Sequence, residues 1–519
     1  MKGMPHVSSR FEGLGVGFAP YLQPPGPGVV RWTVGEPGFE TPSPIVDAAI
    51  KGLEEGKTKY TRGPGSLELC NAVSEYLRIH HDIEARADDI VVTPGAKQAL
   101  LYSFLITTMP GDEAILLSPS WASYEPMLEF IGAVPVHVNV KMDSFHPDLE
   151  AIREAVTEKT KMILINSPCN PTGAVFTPEE IREIVDVAVE NDLWIVSDEI
   201  YGRMVWVDWP HVSPSTIPGG KERTIVVNGW SKSWAMTGMR VGFLTGPSEA
   251  MRAAVKSQAN SASHIPTFMM DAAKVALECE DSVQEFNSEY RKRRNLMTEG
   301  LSSIPGIRVP EPEGAFYVFA DVTGTGMTDI EFADGALEAG VQLIPASLIT
   351  GGEGFVRISY AADEEDIMEG LRRLKSGYCK SEFEISVTWL GTVDDIESAG
   401  SHVLLDYVNY RRGETGDGEW VLSVLRECVR ESGVREVHSH VEIFDGEDSP
   451  PGFAAVVLID ESHVTAHCYS ERGILALDVF TCGDSDPSEL AAMINDALVS
   501  EIPGLRRVFE KRVERFRSD

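Results

Sequence analysis

Cysteine is scarce: seven in 519 residues (Cys70, Cys169, Cys279, Cys379, Cys428, Cys468 and Cys482), an odd number, widely scattered, with no CxxC pair. That pattern excludes a disulfide framework and a thiolate zinc site, and it fits a reducing compartment. Long apolar runs are missing too. None reaches the roughly 18–20 residues of a membrane span, so no membrane partner is expected. The first residues, MKGMPHVSSRFEGLGVGF, lack the charged-then-apolar layout of a secretory signal, and a cytoplasmic location is the expectation. Positive charge is in short supply: 45 Lys and Arg against 80 Asp and Glu leave a net −35, which would repel nucleic acid over the whole surface. Internal repeats and low-complexity tracts are absent, apart from the short LQPPGPG.

What is present is a long alternation of short apolar runs and helical stretches: DIVVTPG then KQALLYSFLITTM, EAILLSP, KMILINSP, LWIVSDEI and RTIVVNGWS. Strand, helix, strand at this spacing predicts an α/β unit with a mostly parallel sheet, whose ligands gather where strands end in Gly, Pro, Ser or Asp. The pattern assigns residues 1–376 to one domain, with a large part over about 43–290 and a smaller lobe made of the N-terminal segment and about 291–376. A linker over 377–385 leads to a second domain over 386–519. There HVLLDYVNY, WVLSVLRECVRES, FAAVVLIDESHVTAH, GILALDVFTCG and SELAAMINDALVS make a separate α+β pattern.

Asp198 ends one apolar strand and Lys232 follows another, so both project into one crevice, with Trp230 and Trp234 beside the lysine and Arg240 eight residues on. These stretches, together with VGEPGF, YTRGPGSLEL, PGAKQAL, SPCNPTG, SDEIY and SKSWAMTGMRVG in that order, resemble the fold-type I pyridoxal-phosphate aminotransferases of class I over roughly residues 30–376. The resemblance implies the pyridoxal-phosphate transferase fold and a reaction between an amino acid and a 2-oxo acid. It implies pyridoxal 5′-phosphate carried on Lys232, with Asp198 holding the pyridine nitrogen protonated. Asn170 and Tyr201 match the partners of the ring oxygen, and Trp121 the aromatic residue on the ring face. Gly95, Ala96 and Lys97 open a helix at the phosphate, joined by Ser231 and Arg240. Tyr60 matches a tyrosine that reaches the neighbouring subunit's phosphate, which implies a homodimer or higher homo-oligomer. Gly35 and Asn170 match the substrate side, and Arg357, in FVRISYA, the arginine that grips the substrate α-carboxylate. Lys97 also points to an acidic side chain on the substrate. Cys70 stands where the family usually has arginine.

DESHVTAH, with GILALDVFTCG and SHVLLDY, resembles the bacterial and archaeal S-adenosylmethionine decarboxylases over about residues 400–497. That implies an α+β domain in which Ser462 attacks the carbonyl of Glu461 and is converted to a pyruvoyl group. His467 then matches a proton-transfer residue, Cys482 the acid that reprotonates the substrate carbon, and Glu471 a substrate contact; S-adenosylmethionine is the implied substrate, and polyamine biosynthesis the setting. Three departures stand out. Ala454 replaces the serine that assists processing, Tyr469-Ser470 replaces Trp-Pro before Glu471, and EIFDGEDSPP is longer and more acidic than usual. The odd offset from Ser462 to His467 puts them on opposite faces of a straight strand, so joint action requires a bend near His463. Two other readings stay open: a lyase acting on S-adenosylmethionine or a related amino acid, and a catalytically inactive second domain kept for assembly. No metal site is expected.

Overall fold

Seven apolar runs pair into one sheet in the first of two units, Met1–Phe383; the second is Glu384–Asp519. The computed structural model describes residues 26, 28–378, 400–411, 416–444, 451–460, 462–469, 472–482 and 486–515. Residues 379–385 of the expected linker therefore lie outside the described residues.

The strands are β1 (Ile90–Thr93), β2 (Glu113–Ser118), β3 (Val134–Asn139), β4 (Thr160–Asn166), β5 (Trp194–Asp198), β6 (Thr224–Gly229) and β7 (Gly242–Thr245), in the order β1-β7-β6-β5-β4-β2-β3. Only β7 runs against its neighbours. β1, β6 and β7 are buried along their whole lengths, as strands covered on both faces must be. Ile115, Ile163 and Ile195 pack under Pro178–Glu190, while Leu116, Leu164 and Val196 pack under Ala96–Thr107 and Ser248–Ala259. The helix Pro178–Glu190 starts where Thr177 and Glu180 satisfy each other's backbone N–H groups, a reciprocal cap written in the sequence as T-x-x-E. Parallel register sets Asn166 beside Asp198 at the carboxyl ends of β4 and β5, and the chain leaving β6 carries Ser231 and Lys232 to the same edge.

A smaller lobe holds β8 (Tyr317–Asp321), β9 (Ile344–Pro345) and β10 (Phe355–Ser359), antiparallel in the order β9-β10-β8. The N-terminal segment joins it: Val30–Arg31 pairs with Val341–Gln342, and Trp32 enters its core beside Leu371 and Leu374.

His146 ties the two parts of this unit together. Its Nδ1 lies 2.7 Å from Glu180 and its Nε2 3.1 Å from Glu313, whose carboxylate also accepts from the Val175 N–H. Hydrogen bonds to the two carboxylates raise the imidazole to about 9. A raised histidine contributes stability that is complete below its unfolded value of about 6.5 and is lost as pH rises through the folded value. His146→Gln should therefore lower the thermal midpoint at neutral pH, and the gap from wild type should close once pH passes about 9. A gap that persists unchanged in alkali would contradict a charged His146.

In the second unit β11 (Gly400–Val408), β12 (Glu436–Phe444), β13 (Gly452–Ile459), β14 (Ser462–Tyr469), β15 (Ile474–Cys482) and β16 (Arg506–Arg515) form one antiparallel sheet, order β12-β13-β14-β15-β11-β16. Asp417–Glu431 and Pro487–Glu501 cover one face, closing on Leu405, Val457, Val464, Ala466, Leu477 and Val479. The expected pattern of an α/β unit followed by an α+β unit holds, although β12 and β16 were not expected from the sequence. Both are edge strands, and the charges of RRVFEKRVER suit an edge that must not pair further. Among the described residues, no helix is long and apolar enough to cross a membrane.

Candidate functional site

A cavity of about 410 Å³ opens at the carboxyl ends of β4, β5 and β6. It brings together most residues expected there: Gly35, Ala96, Lys97, Trp121, Asn170, Asp198, Tyr201, Ser231, Lys232, Arg240 and Arg357 all line it. Gly95 stands just behind. It caps Ala96–Thr107 with φ 82°, and a Cβ built on it would come within 2.6 Å of the Arg240 guanidinium. Only glycine permits this approach, so the helix amino terminus and Arg240 converge on one spot suited to an anion. Lys97 extends its ammonium over the Trp121 ring at 5.0 Å.

Lys232 donates to the carbonyl oxygen of Gly35 and lies 5.8 and 5.5 Å from the Tyr201 and Phe316 rings. A side chain at Gly35 would collide with the Tyr317 hydroxyl, so the loop reaches the lysine only because it carries none. Burial lowers the ammonium to about 8, which leaves a share of reactive neutral amine near neutrality. Asp198 is buried; Tyr124 Oη donates to it at 2.7 Å and the Ile200 N–H at 3.2 Å. Burial still outweighs those bonds and raises the carboxyl to about 6. A cationic N–H donor at Asp198 would return it to full ionisation.

Arg357, buried on β10, donates to Asn170 Oδ1 at 3.1 Å and to the Thr33 carbonyl at 2.7 Å, and its guanidinium lies 4.9 Å from the Tyr317 ring. Burial lowers its pKa. Tyr201 and Tyr317 share a 2.8 Å hydroxyl contact. Tyr124 and Tyr317 were not singled out from the sequence. Tyr124 follows Trp121 by three residues, and that spacing in SPSWASY was the available signal; Tyr317, in a continuous apolar run, offered none. Tyr60 stands apart from the cavity, 92% exposed, in a shallow hollow with Lys57, Lys59 and His264.

In the second unit, pairing from Gly452↔Tyr469 to Ile459↔Ser462 runs without a register shift, so the strand has no bulge near His463. Ser462 shares the parity of Val464, Ala466 and Cys468, which face the helices, whereas exposed His467 belongs to the other face. Ala454 lies directly across from His467. On that other face His402 contacts Asp478, whose second oxygen is 3.9 Å from His463. Cys482 pairs with Gly400 at the end of β15; its side chain, Glu461 and Glu471 lie outside the described residues.

Residues 27–374 match the family model described as aminotransferase class I and II, and residues 401–508 the one described as S-adenosylmethionine decarboxylase. The probable aspartate/prephenate aminotransferase of Aquifex aeolicus is 40% identical over 363 residues, 68% of this chain and 92% of the relative. The aspartate aminotransferase of Pyrococcus abyssi is 40% identical over 354 residues, 67% and 91% of the two chains. The solved structure of the Thermus thermophilus aspartate aminotransferase with maleate superposes with a TM-score of 0.68 at 36% identity, covering 72% of this chain and 100% of that one.

Proposed function

Because the chain belongs to the class I and II aminotransferases, we propose that its first unit moves an amino group between an acidic amino acid and a 2-oxo acid with pyridoxal 5′-phosphate in the central cavity. The single observation carrying this is that one cavity holds Lys232, Asp198, Arg240 and Arg357 together. The residues fit the cofactor: a buried carboxylate short of a cation faces the place for a pyridinium, and a side-chain-free helix start with Arg240 and Ser231 suits a phosphate. When bound, the cofactor supplies an electrophilic carbon and an electron sink. Asp198 would keep the ring nitrogen protonated, and Trp121 would cover the ring. Asn170 and Tyr201 would hold its ring oxygen. Lys232 Nζ would hold the cofactor and is the amine placed to move the proton at the substrate Cα.

Arg357 orients the substrate by a two-point contact with its α-carboxylate. The names of the relatives, aspartate and aspartate/prephenate aminotransferases, support an acidic donor, and Lys97 is the cation assigned to its distal carboxylate. Exposed Tyr60 is assigned to the phosphate of a second copy, in a homodimer. Arg357→Ala tests the assignment. It should weaken aspartate and 2-oxo acid alike, by roughly 2–5 kcal/mol for a charge partner left alone, while cofactor absorbance stays unchanged. Wild-type substrate affinity in the variant would remove Arg357 from the site.

For the second unit we propose pyruvoyl-dependent decarboxylation, with S-adenosylmethionine as substrate. The family match over residues 401–508 supports it, as does the place of Ser462 at the first residue of a strand just after a hairpin connection, where a chain break leaves every sheet pair standing. Cys482 is assigned to reprotonate the substrate carbon, His467 to proton transfer during processing and Glu471 to substrate binding.

A further inference from the structure

Outside the cavity lining, three side chains from distant parts of the sequence meet: His81 at the end of the helix Leu67–His81, Glu199 next to Asp198 and just after β5, and His211 in the loop that follows. Each offers a ligand atom, and these atoms lie within 4.8 Å of one another. The side chains of His211 and Glu199 are 6% and 0% exposed, and His81 is buried. Burial on this scale normally brings complete hydrogen bonding. Here His81 Nδ1, both ring nitrogens of His211 and Glu199 Oε2 have no hydrogen-bond partner. The His211–Glu199 approach is 3.2 Å, close enough for attraction but without the alignment of a hydrogen bond. Four unsatisfied polar atoms meet in one buried spot, where each is costly unless something joins them.

We propose that His81, Glu199 and His211 form a buried binding site for a divalent transition-metal ion of the zinc type. Two imidazoles and one carboxylate are the donor set such ions take, and a water or a nearby hydroxyl completes four-coordination. Tyr76 Oη, 3.2 Å from His81 Nε2, and Ser213 Oγ, which donates to Glu199 Oε1 at 2.6 Å, hold two of the ligands in orientation, as outer partners of metal ligands do. A point equidistant from three atoms at the 4.8 Å limit lies about 2.8 Å from each, so modest side-chain rotation reaches the ~2.0–2.2 Å of zinc bonds. Arg203, whose guanidinium lies over the Tyr76 ring, is paired with Glu280. An ion here would pin a helix end, a strand end and the loop through Gly202 and Arg203 that carries Tyr201 into the cavity wall. The site is independent of the reaction assigned to that cavity.

The test uses full-length holoprotein purified without chelator, equilibrated with zinc, desalted and measured for zinc by mass spectrometry. Wild type should hold about one ion per chain, and His211→Ala and His81→Asn should fall below about a tenth of that. His463→Ala, which disturbs the half-buried His402–Asp478–His463 group in the second unit, should keep the ion. Retained cofactor absorbance checks folding. Should either cluster variant fail to fold, cobalt substitution of the wild type decides: visible bands of a four-coordinate ion support the site, and their absence overturns it. Wild type without zinc, or zinc lost from His463→Ala and kept by His211→Ala, also overturns it.

Discussion

Lys232→Ala should fold, bind pyridoxal phosphate without a covalent bond, and lose transamination by at least the roughly 10²–10⁴-fold that a positioned proton-transfer group contributes. Folding survives because the packing around position 232 belongs to its neighbours. Trp230 and Trp234 are buried in the core against the helix Thr267–Ala276, and the Trp230 indole N–H donates to the Ala273 carbonyl at 2.8 Å. Lys232 contributes a single hydrogen bond, to Gly35, and a half-covered aliphatic stem. Activity does not survive, since no other amine among the cavity-lining residues is placed to substitute: Lys97 lies over Trp121. Borohydride reduction of the wild type, followed by peptide mapping, should fix the cofactor on Lys232. Recovery of the label on Lys97 or any other lysine would overturn the assignment.

That prediction could be made from the sequence because the first unit's chemistry sits at strand ends. Asp198 and Lys232 are adjacent in the text to apolar runs that can only be strands, and parallel register converts "end of strand" into "same edge of the sheet". Arg357, in the middle of the antiparallel strand FVRIS, was legible only through the resemblance of FVRISYA to the aminotransferases. Contacts made across the fold were not. Tyr124 reaches Asp198 over a separation of 74 residues, and His81, Glu199 and His211 meet only after a helix, a strand and a loop have packed. No local spacing encodes either. The edge strands β12 and β16 escaped for a different reason. One face of a sheet edge meets water and the other barely touches the core, so Glu436–Phe444 and Arg506–Arg515 carry no apolar run to notice.

The second large effect concerns chain integrity. Under denaturing conditions, wild type should yield a large fragment ending at Glu461 and a small one beginning with the residue derived from Ser462, whereas Ser462→Ala should remain one chain. Attack of Ser462 Oγ on the Glu461 carbonyl replaces an amide by an ester. Elimination then frees the Glu461 carboxylate, and hydrolysis of the remaining dehydroalanine releases ammonia and leaves the ketone. The two fragments should stay together in native solvent, because β13 and β14 remain paired from Gly452↔Tyr469 to Ile459↔Ser462 whether or not the bond between them is intact. Cleavage should be slow or partial. Ala454 offers no hydroxyl, and it sits opposite His467 on the face of the sheet away from Ser462, so the straight register separates the nucleophile from the histidine expected to assist it. Thr465 shares the His467 face and offers an aliphatic hydroxyl there. Cys482→Ala should still cleave but should lose decarboxylation, since reprotonation of substrate follows the steps that make the ketone. A wild-type sample that stays full length after prolonged incubation would end the pyruvoyl assignment and leave Ser462 as the first residue of an ordinary strand.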